Sequence, residues 1–352
     1  MRGRGDRLAA GLAERELDLH LVTELTNVRY LTGFTGTNGA CVCGPETRLF
    51  LTDFRYTERA AAEVEGWETV TIADDWLGGI ASHLSGRFGF EDDHASVRLL
   101  ERLREKLAEG VEPVAAGGAV EKLRRVKDEN ELAAIAAASE LADEVWRWSL
   151  EQGLGGRSER EVARAAEARI RELGGDPSFP AIVAAGPNGA LPHAEPGERP
   201  IGSGELIVFD MGAKLDGYCS DGTRTYAVGE PGERAREVYE TVRSAQAAAL
   251  GAISAGVGGE ALDAVAREAI AAAGHRERFG HGLGHGVGLE VHEAPRLSPR
   301  SDDVLAAGEV VTVEPGVYLP GELGARIEDL VVVSEGGCRN LSGLPKEFQL
   351  VE

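Results

Sequence analysis

The densest chemistry in the chain lies in Phe279-Gly280-His281-Gly282-Leu283-Gly284-His285-Gly286-Val287-Gly288-Leu289-Glu290-Val291-His292-Glu293, where three of its eight His fall within twelve residues. Glycine occupies every second position from 280 to 288. Imidazoles supply ligands or proton donors at neutral pH, and glycines leave space where a backbone must come close to something. The run also offers a G-x-G-x-G of the kind that dinucleotide loops use. No strand-to-helix switch brackets it, so a phosphate loop is set aside.

Four carboxylates stand on strand-like backbone or just past its end. Asp210 follows the apolar run Leu206-Ile207-Val208-Phe209, and Asp221 lies eleven residues further on. Glu314 follows Val310-Val311-Thr312-Val313, and Glu328 sits inside Ala325-Arg326-Ile327-Glu328-Asp329-Leu330. Any one of them alone reads as an ordinary turn or salt-bridge group. An ionised carboxylate in an apolar strand needs a partner or a metal, and Arg326, at i−2 from Glu328, faces the same side of a strand. With one or two His, the four carboxylates make an oxygen-rich set suited to Mn2+, Co2+ or Zn2+. Their charge balances two divalent cations, and a pair about 3.5–4 Å apart can activate a water and polarise a carbonyl together.

Such residues need a scaffold, and the chain reads as α/β in two domains. Strand-like pieces at 18–23, 39–43, 47–52, 67–72 and 87–91 mix with helical patterns at 7–17, 55–64 and 97–109. Composition loosens at Ala115-Ala116-Gly117-Gly118, which sets the domains at 1–119, a small mixed sheet with helices, and 120–352. One long helix is expected from Val120 to about Gln152, and a second over 158–173, with Ser158 and Glu161 spaced as a capping box. Extended segments at 179–185 and 205–211, helices at 233–250 and 259–273, and strands at 309–314 and 325–333 complete the pattern. This is not the strict alternation of a parallel doubly wound sheet.

Composition narrows the function classes. At 352 residues the chain exceeds what one hydrophobic core usually supports. Its net charge of −22 repels phosphate backbones and anionic headgroups, so neither nucleic acid nor a membrane surface is expected as a partner. No stretch reaches the ~18–20 apolar residues of a membrane span, and the charged N-terminus lacks the apolar region of a signal peptide. Four Cys do not make a disulfide framework. Cys41 and Cys43 read as small residues on one strand face, and a reducing cytoplasm is the expected location.

The series Asp210, Asp221, His285, Glu314, Glu328 resembles the five-ligand signature of the pita-bread metallopeptidases. Leu191-Pro192-His193-Ala194 and the 284–293 run resemble its Xaa-Pro aminopeptidase and Xaa-Pro dipeptidase (prolidase) branch. So do Asn27-Val28-Arg29-Tyr30-Leu31-Thr32-Gly33-Phe34-Thr35-Gly36 and Thr52-Asp53-Phe54-Arg55-Tyr56, so the likeness spans nearly the whole chain. It implies a pita-bread domain over 120–352, with an antiparallel-rich sheet and two divalent metal ions, Mn2+ first, with Co2+ or Zn2+ as alternatives. Asp210 would hold one ion, His285 and Glu314 the other, and Asp221 and Glu328 would bridge them. Glu314 would move the proton, His193, His281 and His292 would line the cleft, and Arg326 would steady Glu328. The family also implies peptide substrates with proline second and a homodimer. Gly222 departs from the family, which usually carries an apolar side chain there.

The leading expectation is hydrolysis of the bond before a proline at the second position. The GFTG and TDFRYTE runs incline it slightly to the aminopeptidase type, with the dipeptidase type as the alternative. A non-catalytic binder should lack a ligand, and all five are present. A lyase or other hydrolase on the same fold remains open. A methionine aminopeptidase would leave the first module without a purpose.

Overall fold

The computed structural model describes residues 3–352; Met1 and Arg2, the start of the charged N-terminal run, lie outside them. The chain forms two compact units, one ending at Arg124 and one spanning Arg125–Glu352.

In the first unit a six-stranded sheet runs in the order Glu68–Ile72, Arg48–Asp53, Ala40–Cys43, Leu19–Val22, Arg87–Phe90, Glu112–Ala115. Ala40–Cys43 is antiparallel to both neighbours and the other pairs are parallel, so the sheet is mixed. Gly44 and Thr47 exchange backbone hydrogen bonds around Pro45 and close a hairpin between Ala40–Cys43 and Arg48–Asp53. Cys41 and Cys43 are buried free thiols, two apart on one strand. The helix expected over 7–17 is shorter, Arg4–Ala10, followed by a single tight turn at Ala13–Arg15. Glu112–Ala115 escapes the sequence reading because Pro113 disguises it. Proline lacks an N–H and is tolerated on an edge strand, which is where this one lies. His20 is wholly buried, neither ring nitrogen has a hydrogen-bond partner among the described residues, and burial lowers its pKa to about 4, which keeps it neutral.

In the second unit the order helix, helix, strands occurs twice. Glu129–Glu151 and Glu159–Glu172 share a core with the strands Ile182–Ala185 and Leu206–Asp210. Glu233–Ala252 and Gly259–Ala272 share another with Val310–Val313, Leu323–Arg326 and Asp329–Ser334. Ser158 and Glu161 form the expected capping box. A second box, Asp128 with Glu131, restarts the chain as a helix at Glu129. The single helix expected over 120–152 is therefore interrupted, and Lys127 N–H donates instead to Gly308 O at 3.0 Å.

The strands make a four-stranded sheet (Leu350–Val351, Thr223–Val228, Leu206–Asp210, Ile182–Ala185) and a five-stranded one (Glu293–Leu297, Gly284–Gly286, Val310–Val313, Asp329–Ser334, Gly337–Asn340). All pairs in both are antiparallel except the one to Leu350–Val351. The apolar run 325–333 is not one strand. It breaks at Ile327-Glu328, where Glu328 N–H donates to Thr223 O at 3.0 Å and bridges to the other sheet. That break places Glu328 where the two sheets meet. Among the described residues no helix is long and apolar enough to cross a membrane.

Candidate active site

Strand register explains how distant carboxylates come together. Asp210 lies opposite Thr223 on neighbouring strands, and Thr223 lies opposite Glu328 across the sheet junction. Asp221 stands two residues before Thr223, and Glu314 follows directly on Val310–Val313. His285 rides the short strand Gly284–Gly286, which is wedged between backbones. A Cβ on Gly284 would meet Thr312 O at 2.0 Å, and one on Gly286 would meet Ala294 O at 2.2 Å. These two glycines let the histidine strand approach its neighbours.

The result is a cavity of about 500 Å³. It is lined by all five residues of the expected ligand set, Asp210, Asp221, His285, Glu314 and Glu328, and equally by His193, His281, His292 and Arg326. One ligand atom each from Asp221, His285 and Glu328 lies within 4.8 Å of the others. His285 Nδ1–H donates to Gly286 O at 3.0 Å, which leaves Nε2 with its lone pair free. That Nε2 stands 3.4 Å from Glu314 Oε1 and 3.6 Å from Asp221 Oδ2. Burial lowers the His285 pKa to about 4, so the ring is neutral, as a ligand must be.

The electrostatics are those of an uncompensated anionic cluster. Burial first, then repulsion from Glu328, Asp210 and Glu314, pushes Asp221 well above the usual carboxylate range. Burial and the charges of Glu314 and Asp210 do the same to Glu328. Burial raises Glu314 to about 7, although its side chain keeps 18% exposure. Asp210 is raised by burial against the pull of Arg326, and its Oδ1 is buried with no hydrogen-bond partner among the described residues. One guanidinium faces four carboxylates. An orphaned carboxylate oxygen, a neutral imidazole lone pair and surplus negative charge fit a hard divalent cation, so the residues present suit the expected metal chemistry.

Arg326 behaves differently from expectation. It does not pair directly with Glu328. Its Nη2 donates to Asp210 Oδ2 at 2.6 Å, and its Nε donates to Thr223 Oγ1 at 3.0 Å. Thr223 Oγ1 in turn donates to Glu328 Oε2 at 2.7 Å. The break at Ile327-Glu328 removes the shared strand face that the i−2 spacing assumed, and a threonine hydroxyl carries the connection instead.

Several site residues were not singled out from sequence. Tyr318, in the strand Gly316–Leu319, reads as an ordinary apolar position, yet its hydroxyl bonds both Arg326 and His281. Arg296 lines the cavity behind the unremarked Pro295, together with Phe179, Pro180, Ile182 and Ser298. Gly222, the departure from the family, leaves its space to Trp146, whose ring lies 3.0 Å from where a Cβ would stand.

A two-unit α/β chain with this anionic cavity is a metallohydrolase by fold and site. The family models agree: residues 133–335 match Metallopeptidase family M24, and residues 4–126 match the Creatinase/Prolidase N-terminal domain. The chain belongs to metallopeptidase family M24. It is 35% identical over 351 residues to a Xaa-Pro dipeptidase of Pyrococcus furiosus, covering 99% of this chain and 100% of that one. Among solved structures it is similar to a Xaa-Pro dipeptidase from Bacillus anthracis, with TM-score 0.96, 38% identity and 99% of each chain covered. It is also similar to an X-Pro aminopeptidase from Thermotoga maritima MSB8, with TM-score 0.92, 35% identity, and 99% of this chain and 100% of that one covered.

Proposed function

We propose that the protein is a metal-dependent Xaa-Pro dipeptidase, rather than the aminopeptidase type toward which the sequence inclined. The observation that carries this choice is Arg296. It lines the cavity, and among the described residues its guanidinium has no ion pair or side-chain hydrogen bond to hold it. An unpaired guanidinium offers a bidentate site for a carboxylate. A dipeptide ending in proline presents that carboxylate, whereas a longer peptide presents a neutral amide there. The dipeptidase or prolidase names borne by relatives and structural neighbours point the same way. The aminopeptidase type is the second reading, favoured by the neighbour from Thermotoga maritima.

Two divalent cations held by Asp210, Asp221, His285, Glu314 and Glu328 would supply an acidified water and an electrophile for the carbonyl. Glu314 takes up a proton at its carboxylate and hands it to the departing proline nitrogen, which as a tertiary amide carries no proton of its own. His193 and His292, both exposed within the cavity, donate hydrogen bonds to the carbonyl oxygen as charge grows on it. His281 walls the cavity beside Glu314. Arg326 holds Asp210 directly and Glu328 through Thr223. The homodimer implied by family resemblance belongs to the same proposal, and sedimentation at monomer mass would contradict it.

The test compares Ala-Pro with Ala-Pro amide in wild type and in Arg296→Met. Wild type should prefer the free carboxylate, and the variant should lose the preference while still binding metal. Equal rates on both substrates in wild type would return the reading to the aminopeptidase type.

A further inference from the structure

His281 is fixed from two directions. Its backbone is clamped by the helix Gly259–Ala272, where Asp263 and Arg267 form a pair at 2.8 Å. Arg267 donates to Phe279 O at 2.6 Å and to His281 O at 2.8 Å, while Asp263 Oδ1 accepts Leu283 N–H at 3.1 Å. The clamp holds the chain on both sides of His281, and the imidazole packs against the rings of Phe279 and Tyr318, with centroids 5.0 and 5.5 Å away. Which ring edge faces which partner is then set at its two nitrogens.

Those nitrogens meet partners that agree. Nδ1 lies 2.9 Å from Gly282 O, and a carbonyl can only accept, so Nδ1 carries the proton. Nε2 lies 2.9 Å from Tyr318 Oη. That hydroxyl oxygen already accepts from Arg326 Nη1 at 2.9 Å, because a guanidinium can only donate. Its single proton is therefore free to point at Nε2, which accepts it in the neutral ring whose proton is on Nδ1. Both ends fit the same neutral Nδ1–H form. A Cβ on Gly316 would stand 2.5 Å from the Tyr318 hydroxyl oxygen, so the absence of a side chain at Gly316 gives the phenol its place.

We propose that Tyr318 is a positioning residue: its hydroxyl, oriented by Arg326, sets the rotation and tautomer of His281 at the cavity wall. His281 Nδ1 lies 4.0 Å from Glu314 Oε2, so the ring that Tyr318 holds borders the proton-transfer carboxylate. The chain Arg326, Tyr318, His281 thus ties the guanidinium that holds Asp210 to the wall beside Glu314. The kinetic part of this inference rests on the proposed dipeptidase function; the tautomer part does not.

The test is Tyr318→Phe, which keeps the ring and removes only the hydroxyl. Metal content and KM for Ala-Pro should stay at wild-type values, and kcat should fall by roughly 10–100-fold, as for other residues that orient a metal site's working groups. The same substitution in a His281→Asn background should cost no further activity, because the residue through which Tyr318 acts is gone. Nitrogen-15 NMR of the metal-free protein should show His281 as the Nδ1–H tautomer in wild type and as a mixture in Tyr318→Phe. An unchanged tautomer in the variant would overturn the proposal. So would a wild-type kcat, or a full multiplicative loss in the His281→Asn background, which would put the effect through Arg326 and Asp210. If wild type itself cleaves no Xaa-Pro dipeptide, the proposed function falls while the NMR measurement still judges Tyr318.

Discussion

His285 and His292 lie with ring centroids 4.4 Å apart, yet their surroundings give them different work. His285 is buried, with Nε2 turned to Asp221 and Glu314; His292 is exposed within the cavity. Replacing His285 by Ala should lower bound metal and rate together. Replacing His292 by Ala should leave the metal in place and lower kcat by about 10²–10³-fold, the cost of one donor to a developing oxyanion. Metal analysis and kinetics on both purified variants check this, and equal metal loss would contradict the division of roles. Arg326→Lys keeps the charge but cannot serve Asp210, Thr223 and Tyr318 at once. It should weaken metal affinity or activity by ~10–100-fold, and an unchanged metal titration with unchanged kcat would show a purely structural pair. Any one of the carboxylates alone reads as an ordinary turn or salt-bridge group; they were legible in sequence as a series with His285, through its resemblance to a known five-ligand signature. The partner of Arg326 was not legible: Asp210 lies far away along the chain, and only strand register brings the two together.

At the scale of elements, local signals were read where they are self-contained. Ser158 and Glu161 announce a helix start by spacing alone, and the structure forms that capping box. Ser158→Ala should cost about 1 kcal/mol in a urea melt and leave KM untouched, since the cap is remote from the cavity lining. Elements defined by distant pairing were missed or misjudged. The run 325–333 looks like one apolar strand, and only the bridge from Glu328 to Thr223 breaks it. The long helix over 120–152 has continuous periodicity, but Asp128 and Glu131 box a fresh start inside it. Tyr318 was hidden for a related reason: nothing in Gly316-Val317-Tyr318-Leu319 shows that the hydroxyl spans to another strand and a loop.

For the whole molecule, the anionic cavity couples metal, protons and stability. Asp221 and Glu328 hold protons far above their ordinary range, chiefly through burial and mutual repulsion, and Glu314 does so up to about 7 from 4.5. Against them, His20, His281 and His285 are lowered from 6.5 to about 4, so the two sets offset below about pH 6.5; above it the metal-free folded chain binds more protons than the unfolded chain, and its stability falls as pH rises. Chelated protein should therefore lose melting temperature between about pH 6.5 and about pH 8. Metal-loaded protein should lose much less, because bound cations take the place of those protons, and their binding should release protons to the buffer. Identical slopes with and without metal would contradict the placement of the cations among these carboxylates. The most direct test remains the substrate itself. Metal-loaded protein is given Ala-Pro and Ala-Pro-Ala-Ala at equal concentration, with a chelated sample beside it, and initial rates are compared. A metal-dependent Xaa-Pro dipeptidase cleaves Ala-Pro much faster than the tetrapeptide and cleaves neither after chelation; a faster tetrapeptide, or full activity in metal-free protein, would contradict it.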